Sequence, residues 1–324
     1  MRWFKLIITY KIMYFLNCNC DKEWTKCNLL WMLSSIIQFF ILINYSKLQE
    51  VSEIQIIESF IKGKINEDLC EDILFISEDF IAIIDGVTSK SDFLYQNQTT
   101  GKLASTMIRD VLLNANKEDT LHQIIKKVNA AFKEFYEKVA FPYSKTEKGL
   151  QAACVIYSDF YNEILMVGDC QAAVDGMVYI NPKVSDTILS ETRSLVMNTL
   201  YKEAGGNSST KVDDTARNII LPWILKSTIY ANDASSHYGY SVFNGENIPM
   251  ELVKIIKLDH KHHEIVLTSD GYPSVKQSLK ESEDELAKVL KEDPECYKYY
   301  RSTKGTKVGQ VSFDDRAYVR FTIN

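Results

Sequence analysis

Short apolar runs, some continuous and some alternating with polar residues, begin near residue 50 and predict β-strands. Clusters of Asp, Asn and Gly separate many of these runs, which indicates tight turns between neighbouring strands. The runs that predict strands cover residues 53–60, 73–77, 80–84, 151–158, 163–167, 171–174, 238–245, 265–268 and 317–323.

Longer segments, in which apolar residues recur three and four positions apart, predict amphipathic helices. Two of them, residues 100–114 and 119–139, follow each other and would cover one face of a sheet. Residues 185–230 predict two helical pieces separated by a loop at 205–209, and residues 282–290 predict a helix capped by a serine. Strands and helices thus occur in alternating groups, which favours an α+β fold of two packed antiparallel sheets with helices outside.

The composition is that of a globular protein, with 46% hydrophobic and 25% charged residues in a chain of 324. This length suits one large domain or two domains of ordinary size. The net charge of −6 and the lack of a basic block argue against nucleic acid as a partner. Seven cysteines without a Cys-x-x-Cys pair favour reduced thiols in a cytoplasmic protein.

The first 45 residues differ from the rest because they are rich in large apolar side chains. Within them, residues 29–43 carry no charge, but this run is shorter than the about 20 residues that a spanning helix requires. A membrane anchor with its basic side in the cytoplasm, a poor signal peptide and an extension without a role in the fold are the open interpretations. We expect residues 46–324 to form the functional domain.

Three acidic sites lie at the ends of strongly apolar runs. Asp85-Gly86 ends one run, Asp270 ends another, and Asp314 precedes the last one. Carboxylates at the ends of buried strands are held rigidly, and three that converge form an oxygen-rich site suited to Mg²⁺ or Mn²⁺. Since a single Asp-Gly pair is usually an ordinary turn, the prediction depends on all three sites meeting in the fold.

The acidic motifs also occur in a specific order along the chain. They are Asn-Glu-Asp at residues 66–68, Ile-Asp-Gly at 84–86, Gly-Asp-Cys-Gln-Ala at 168–172, Ser-Asp-Gly at 269–271 and Asp-Asp at 314–315. This ordered set resembles the protein phosphatase 2C-like family of metal-dependent protein phosphatases, over about residues 50–324. The resemblance implies a four-layer α/β/β/α sandwich, in which helices flank two antiparallel sheets, and this agrees with the order of predicted elements.

The resemblance implies a role for each matching acidic residue. Asp85 would bridge two Mn²⁺ or Mg²⁺ ions, and the carbonyl of Gly86 would contact one of them. Asp270 and Asp314 would bind the other ion, whereas we interpret Asp169 as a hydrogen-bonding residue in a turn. A hydroxide shared by the two ions would attack the phosphorus of phosphoserine or phosphothreonine.

The segment around the motif at residues 66–68 agrees with the family pattern at some positions and differs from it at others. Glu67 and Asp68 would hold metal-bound waters, as the resemblance implies. The arginine with which the family grips phosphate is missing, and Lys62 and Lys64 flank its place, so we expect these lysines to contact phosphate. Val87 stands where the family often has a histidine that protonates the leaving alkoxide, which leaves the general acid open.

These departures indicate a divergent, bacterial-type relative of the family. We expect a metal-dependent phosphomonoesterase, foremost a phosphoserine/phosphothreonine protein phosphatase with a phosphoprotein substrate. A non-catalytic phosphatase-like binding module and a phosphatase of small phosphomonoesters are the alternatives. Retention of Asp85, Asp270 and Asp314 favours an enzyme, because three buried carboxylates without cations would repel one another. The histidines at 260, 262 and 263 are interpreted as a solvated loop, since no partner motif completes a zinc site.

Overall fold

Ten β-strands and six α-helices lie in residues 54–205 and 210–324, the part of the chain that the computed structural model describes. The extension predicted for residues 1–45, with its candidate anchor, lies outside the described residues. The strands are β1 (Gln55–Lys62), β2 (Ile73–Ile76), β3 (Phe80–Gly86), β4 (Ala152–Ser158), β5 (Glu163–Val167), β6 (Gln171–Val174), β7 (Met177–Tyr179), β8 (Lys254–Lys257), β9 (His263–Thr268) and β10 (Arg316–Ile323). The helices are α1 (Thr100–Leu113), α2 (Leu121–Lys138), α3 (Lys145–Lys148), α4 (Val184–Glu203), α5 (Thr210–Lys226) and α6 (Leu279–Glu292).

The strands form two five-stranded sheets. One sheet has the order β1-β10-β9-β6-β7 and the other has the order β2-β3-β4-β5-β8. All neighbouring strands pair antiparallel. The expected α+β architecture with two antiparallel sheets is therefore confirmed.

Alternating side chains divide the protein into four layers, because successive residues of a strand point to opposite faces. On β3, Ile81 and Ile83 pack between the two sheets, whereas Ala82 and Ile84 pack under α1 and α2. On the outer face of the other sheet, Leu286 of α6 belongs to a third apolar cluster. The order of layers is thus helix, sheet, sheet, helix, as the sequence predicts.

Side-chain caps fix where two of the helices begin. Thr120 forms a capping box with Gln123 at α2. The last helix begins three residues earlier than the predicted start at 282, since Ser278 and Glu281 form its capping box. None of the helices in the described residues is long and apolar enough to cross a membrane.

The strand predicted at residues 238–245 is wrong. This segment makes only isolated bridges, at Tyr240 and Phe243. The side chain of Asn232 accepts a hydrogen bond from the backbone N–H of Val242 and donates one to its carbonyl, both at 3.0 Å. These side-chain bonds replace the ladder bonds that a strand requires. The short strands β7 and β8 were not predicted, because runs of three and four residues do not stand out from the sequence.

Candidate metal centre

Acidic residues from three strand ends meet at one end of the sandwich. Since β3 and β5 both pair antiparallel with β4, they run in the same direction and end at the same edge. Asp85 lies at the end of β3, and Asp169 and Asp270 lie two residues beyond the ends of β5 and β9. One carboxylate oxygen of each lies within 4.8 Å of those of the other two. We call Asp85, Asp169 and Asp270 the carboxylate cluster.

Close backbone packing positions the first carboxylate of this cluster. A Cβ atom on Gly86 would lie 2.3 Å from the carbonyl oxygen of Gly101 in the first turn of α1. Only glycine fits such an approach, and it lets the end of β3 abut the helix. Gly168 has a φ of 84°, which turns the chain so that Asp169 follows β5 into the site.

The electrostatics of the cluster favour a bound cation. Burial raises the pKa of Asp85 and that of Asp270 well above their usual range, and the neighbouring carboxylates raise both further. Burial also raises the pKa of Asp169, with Asp186 adding to the effect. A divalent cation would offset the mutual repulsion of these buried carboxylates, and an all-oxygen set of ligands fits Mg²⁺ or Mn²⁺.

Asp72 is a further acidic residue of the site that the sequence analysis missed. It is 2% exposed. After burial, the negative charge of Asp72 contributes most to the raised pKa of Asp85. One of its oxygens, Oδ2, is buried without a hydrogen-bond partner among the described residues. A buried carboxylate oxygen of this kind fits a site that binds a cation or its water. The signal was present, because Asp72 directly precedes the apolar strand β2, as Asp314 precedes β10.

Glu67 and Asp68, which were predicted to hold water at the metals, lie elsewhere. Both are exposed on the loop between β1 and β2 and are absent from the cavity wall. Their neighbour Glu71 is 4% exposed and accepts a hydrogen bond from Thr99 at 2.6 Å. The buried acidic pair of this loop is thus Glu71-Asp72, four residues beyond the pair chosen from the motif.

Asp314 is close to the carboxylate cluster but has different partners. Its Oδ1 lies 3.1 Å from Nζ of Lys64, and its Oδ2 contacts Nζ of Lys304. Burial alone would raise the pKa of Asp314, but the two ammonium groups overcome this effect and lower it. In the structure, therefore, both oxygens of this predicted metal ligand form ion pairs with lysines.

The two lysines predicted to bind phosphate lie outside the cavity wall. Lys62 is exposed on β1. Lys64 is 9% exposed, and its Nζ also lies 3.1 Å from Asp315 and 2.9 Å from the hydroxyl of Thr88. Asp315 in turn accepts the backbone N–H of Lys64 at 2.7 Å. Lys64 thus links the loop before β2 to the residues that precede β10.

A cavity of about 570 Å³ lies over the carboxylate cluster, and its wall includes all three cluster residues and Asp314. Val87 also lines it, at the position where the resemblance implies a histidine. Several positively charged residues reach the same wall, among them Lys90, Arg217 and Lys304 from three separate segments. The volume lies in the range of small-molecule sites, so a phosphorylated side chain can enter it.

Comparisons with known proteins identify structural neighbours only. No protein-family model matches the sequence, and no curated protein matches it significantly. Among solved structures, the catalytic domain of the serine/threonine protein phosphatase PstP, in complex with two manganese ions, is 12% identical with a TM-score of 0.45, covering 83% of this chain and 98% of that one. The serine/threonine phosphatase PstP/Ppp of Mycobacterium tuberculosis is 11% identical with a TM-score of 0.43, covering 83% and 97%.

Stp1, a serine/threonine phosphatase from Staphylococcus aureus, is 15% identical with a TM-score of 0.42, covering 84% of this chain and 95% of that one. All three of these neighbours are serine/threonine phosphatases. Similarity this distant transfers no residue's role to this chain.

Proposed function

We propose that the protein is a metal-dependent phosphomonoesterase that acts on phosphoserine or phosphothreonine in proteins, with its catalytic domain in residues 46–324. The observation that supports this function most directly is the convergence of Asp85, Asp169 and Asp270 at the floor of one cavity. The sequence places these residues in separate motifs, and nothing in the packing of the sheets requires three carboxylates to meet there.

Asp85, Asp169 and Asp270 would hold Mn²⁺ or Mg²⁺, and Asp72 lies close enough to raise the pKa of Asp85. When bound, such cations supply positive charge to the phosphoryl oxygens and activate water for attack on phosphorus. The buried Oδ2 of Asp72 can accept a hydrogen bond from water and so orient it. Asp314 would act less directly, because Lys64 and Lys304 already neutralise its carboxylate.

The leaving alkoxide needs a proton, and Val87 cannot supply one. Water in the cavity would then protonate the leaving oxygen, a route that works best for leaving groups of low pKa. An aryl phosphate should therefore react faster than a phosphoserine peptide. This difference gives a direct comparison of substrates for the proposed enzyme.

The experiment is hydrolysis of an aryl phosphate and of a phosphothreonine peptide by the full-length protein in Mn²⁺, Mg²⁺ or EDTA. We expect turnover with either ion and none in the chelator. Asp85→Asn should lose turnover, whereas the matched control Asp110→Asn, at an exposed position on α1, should keep it. Equal hydrolysis in EDTA and in Mn²⁺ would contradict the proposal.

A non-catalytic phosphate-binding module is a second candidate, favoured by one observation. The two lysines on Asp314 occupy both oxygens of a carboxylate that the family resemblance assigns to a metal ion. Binding of phosphopeptide without hydrolysis in Mn²⁺ would support this candidate. Hydrolysis of aryl phosphate without any action on phosphopeptides would instead indicate a phosphatase of small phosphomonoesters.

A further inference from the structure

Three ammonium groups surround Thr88, which lies just beyond the end of β3. Lys90 donates a hydrogen bond from Nζ to the carbonyl oxygen of Thr88 at 2.6 Å. Lys64 and Lys304 direct Nζ to its hydroxyl oxygen, at 2.9 Å and 3.5 Å. Positive charge is therefore concentrated at one place beside the carboxylate cluster.

The three lysines differ in how this charge is balanced. Lys64 pairs with Asp314 and Asp315, and Lys304 pairs with Asp314. Lys90 forms no ion pair with a carboxylate of the described residues, although it lines a cavity that several carboxylates share. Burial lowers the pKa of Lys90 to about 7, and the positive charges of Lys304 and Arg217 contribute. The wall thus carries an amino group without a counter-ion at this point, and an anion bound beside it would favour its protonated form.

The loop before β10 and helix α5 bring the other two cations to the same wall. Arg217 of α5 donates a hydrogen bond from its guanidinium to the carbonyl oxygen of Thr303 at 2.6 Å. Thr303 is adjacent to Lys304, so this bond fixes the relative positions of the two cations. Lys90, Arg217 and Lys304 all line the cavity above the carboxylate cluster.

We propose that Lys90, with Arg217 and Lys304 beside it, binds the phosphoryl group of the substrate in this cavity. The proposal rests on the proposed function, because it names the part of that site that recognises the phosphate dianion. A dianion next to three cations gains charge-assisted hydrogen bonds, and a planar guanidinium adds direction to the contact. Lys90 takes the place in this recognition that the sequence analysis gave to Lys62 and Lys64.

The test is calorimetric titration of inorganic phosphate into the full-length protein, in Mg²⁺ and in EDTA. We compare the wild type with Lys90→Met, Lys90→Arg and the matched control Lys254→Met. Lys254 also lines the cavity and donates to a backbone carbonyl, that of Ile180 at 2.6 Å, so it matches Lys90 in residue type and in this kind of contact. We expect Lys90→Met to weaken phosphate binding about tenfold, with Lys90→Arg close to wild type and Lys254→Met within about twofold.

The same variants assayed on an aryl phosphate and a phosphothreonine peptide separate this inference from the proposed function. Lys90→Met should raise KM about tenfold for both substrates and change kcat little, the pattern of lost uniform binding. If Lys90→Met hydrolyses the substrates with unchanged KM and binds phosphate with unchanged affinity, the inference is overturned and the proposed function stands. Loss of phosphate affinity in Lys90→Met, in a protein that hydrolyses neither substrate, supports the inference and contradicts the function.

Discussion

Nζ of Lys64 lies 3.1 Å from Oδ1 of Asp314, although 250 residues separate the two in the sequence. The same ammonium group contacts Asp315, so it joins the loop before β2 to the start of β10. Lys64 is 9% exposed, and a buried ion pair that loses one partner leaves an uncompensated charge behind. The lysine therefore holds two strand ends of the site in place.

The first prediction concerns the ion pairs of Lys64 with Asp314 and Asp315. Lys64→Met should lower the free energy of unfolding by about 3 kcal/mol, because Asp315 then lacks its cation and Asp314 keeps only Lys304. Lys62→Met, at an exposed position two residues earlier, should change it by less than about 0.5 kcal/mol. Urea unfolding monitored by fluorescence measures both. A stable Lys64→Met protein with a raised KM would instead support the phosphate contact expected from the sequence.

The second prediction concerns the carboxylate cluster. With Mg²⁺ at a hundredfold excess over its Kd, the wild type should gain about 2.7 kcal/mol and therefore unfold at least about 5 °C higher than in EDTA. Asp85→Asn and Asp169→Asn should both lose this gain, since each supplies an oxygen to the same cluster. In EDTA the two variants should be at least as stable as the wild type, because one mutual repulsion is removed.

The control for this experiment is Asp110→Asn, which should respond to Mg²⁺ as the wild type does. A normal response of Asp169→Asn would restore the interpretation of Asp169 as a turn residue outside the metal site. Calorimetric unfolding scans with and without Mg²⁺ provide the measurement.

Much of the site could be predicted from local sequence because its residues lie at strand ends. Asp85 and Asp270 each lie at the end of a buried apolar run, and a carboxylate in such a position is held rigidly by the strand. The acidic pair at residues 71–72 was missed because the motif at 66–68 matches the family pattern. The position of the pair at 71–72, directly before β2, identifies it as the buried one.

Partners from distant segments could not be predicted, because no local pattern encodes them. Lys304 lies on a loop without regular structure, and only the folded chain brings it to Asp314. The strand prediction for residues 238–245 was wrong for a related reason. The side chain of Asn232 forms a hydrogen bond with the backbone of this segment, ten residues away in the sequence. Periodicity reports which residues suit a strand, but it does not report competing side-chain bonds.

The third prediction concerns pH and His263 at the start of β9, far along the strand from Asp270. Its Nδ1 lies 2.7 Å from Asp175 and its Nε2 lies 2.8 Å from Asp259. Burial alone would lower the pKa of His263, but the two carboxylates raise it above its usual value. Lys261, which pairs with Asp259, weakens this effect without reversing it.

A raised pKa in the folded state means that the proton stabilises the fold. This contribution is complete below the pKa of His263 in the unfolded chain, about 6.5. It is lost as the pH rises through the higher pKa of the folded state. The stability difference between the wild type and His263→Gln should therefore shrink from about pH 6 upward. His262→Gln, whose ring contacts Asn324, is the control for the substitution itself. A difference that grows with pH would show that His263 is neutral in the fold.

The last prediction concerns Arg193 of α4, which is fully buried. Its guanidinium donates hydrogen bonds to three main-chain carbonyl oxygens, those of Glu295 at 2.8 Å and of Cys296 and Ser302 at 3.0 Å. All three belong to the loop that continues to Lys304. An arginine in this position therefore connects the outer helix to the cation that contacts Asp314.

Arg193→Met should lower the free energy of unfolding by about 3 kcal/mol, because three buried carbonyl groups lose charged donors. It should also raise amide hydrogen exchange in residues 295–304 before the sheets respond, since the loop opens locally. Arg301→Met removes an exposed ion pair with Glu191 on the same helix and should have little effect on either measurement. Unchanged exchange in residues 295–304 of Arg193→Met would show that other contacts, such as the bond from Ser194 to the carbonyl of Tyr297, suffice to hold the loop.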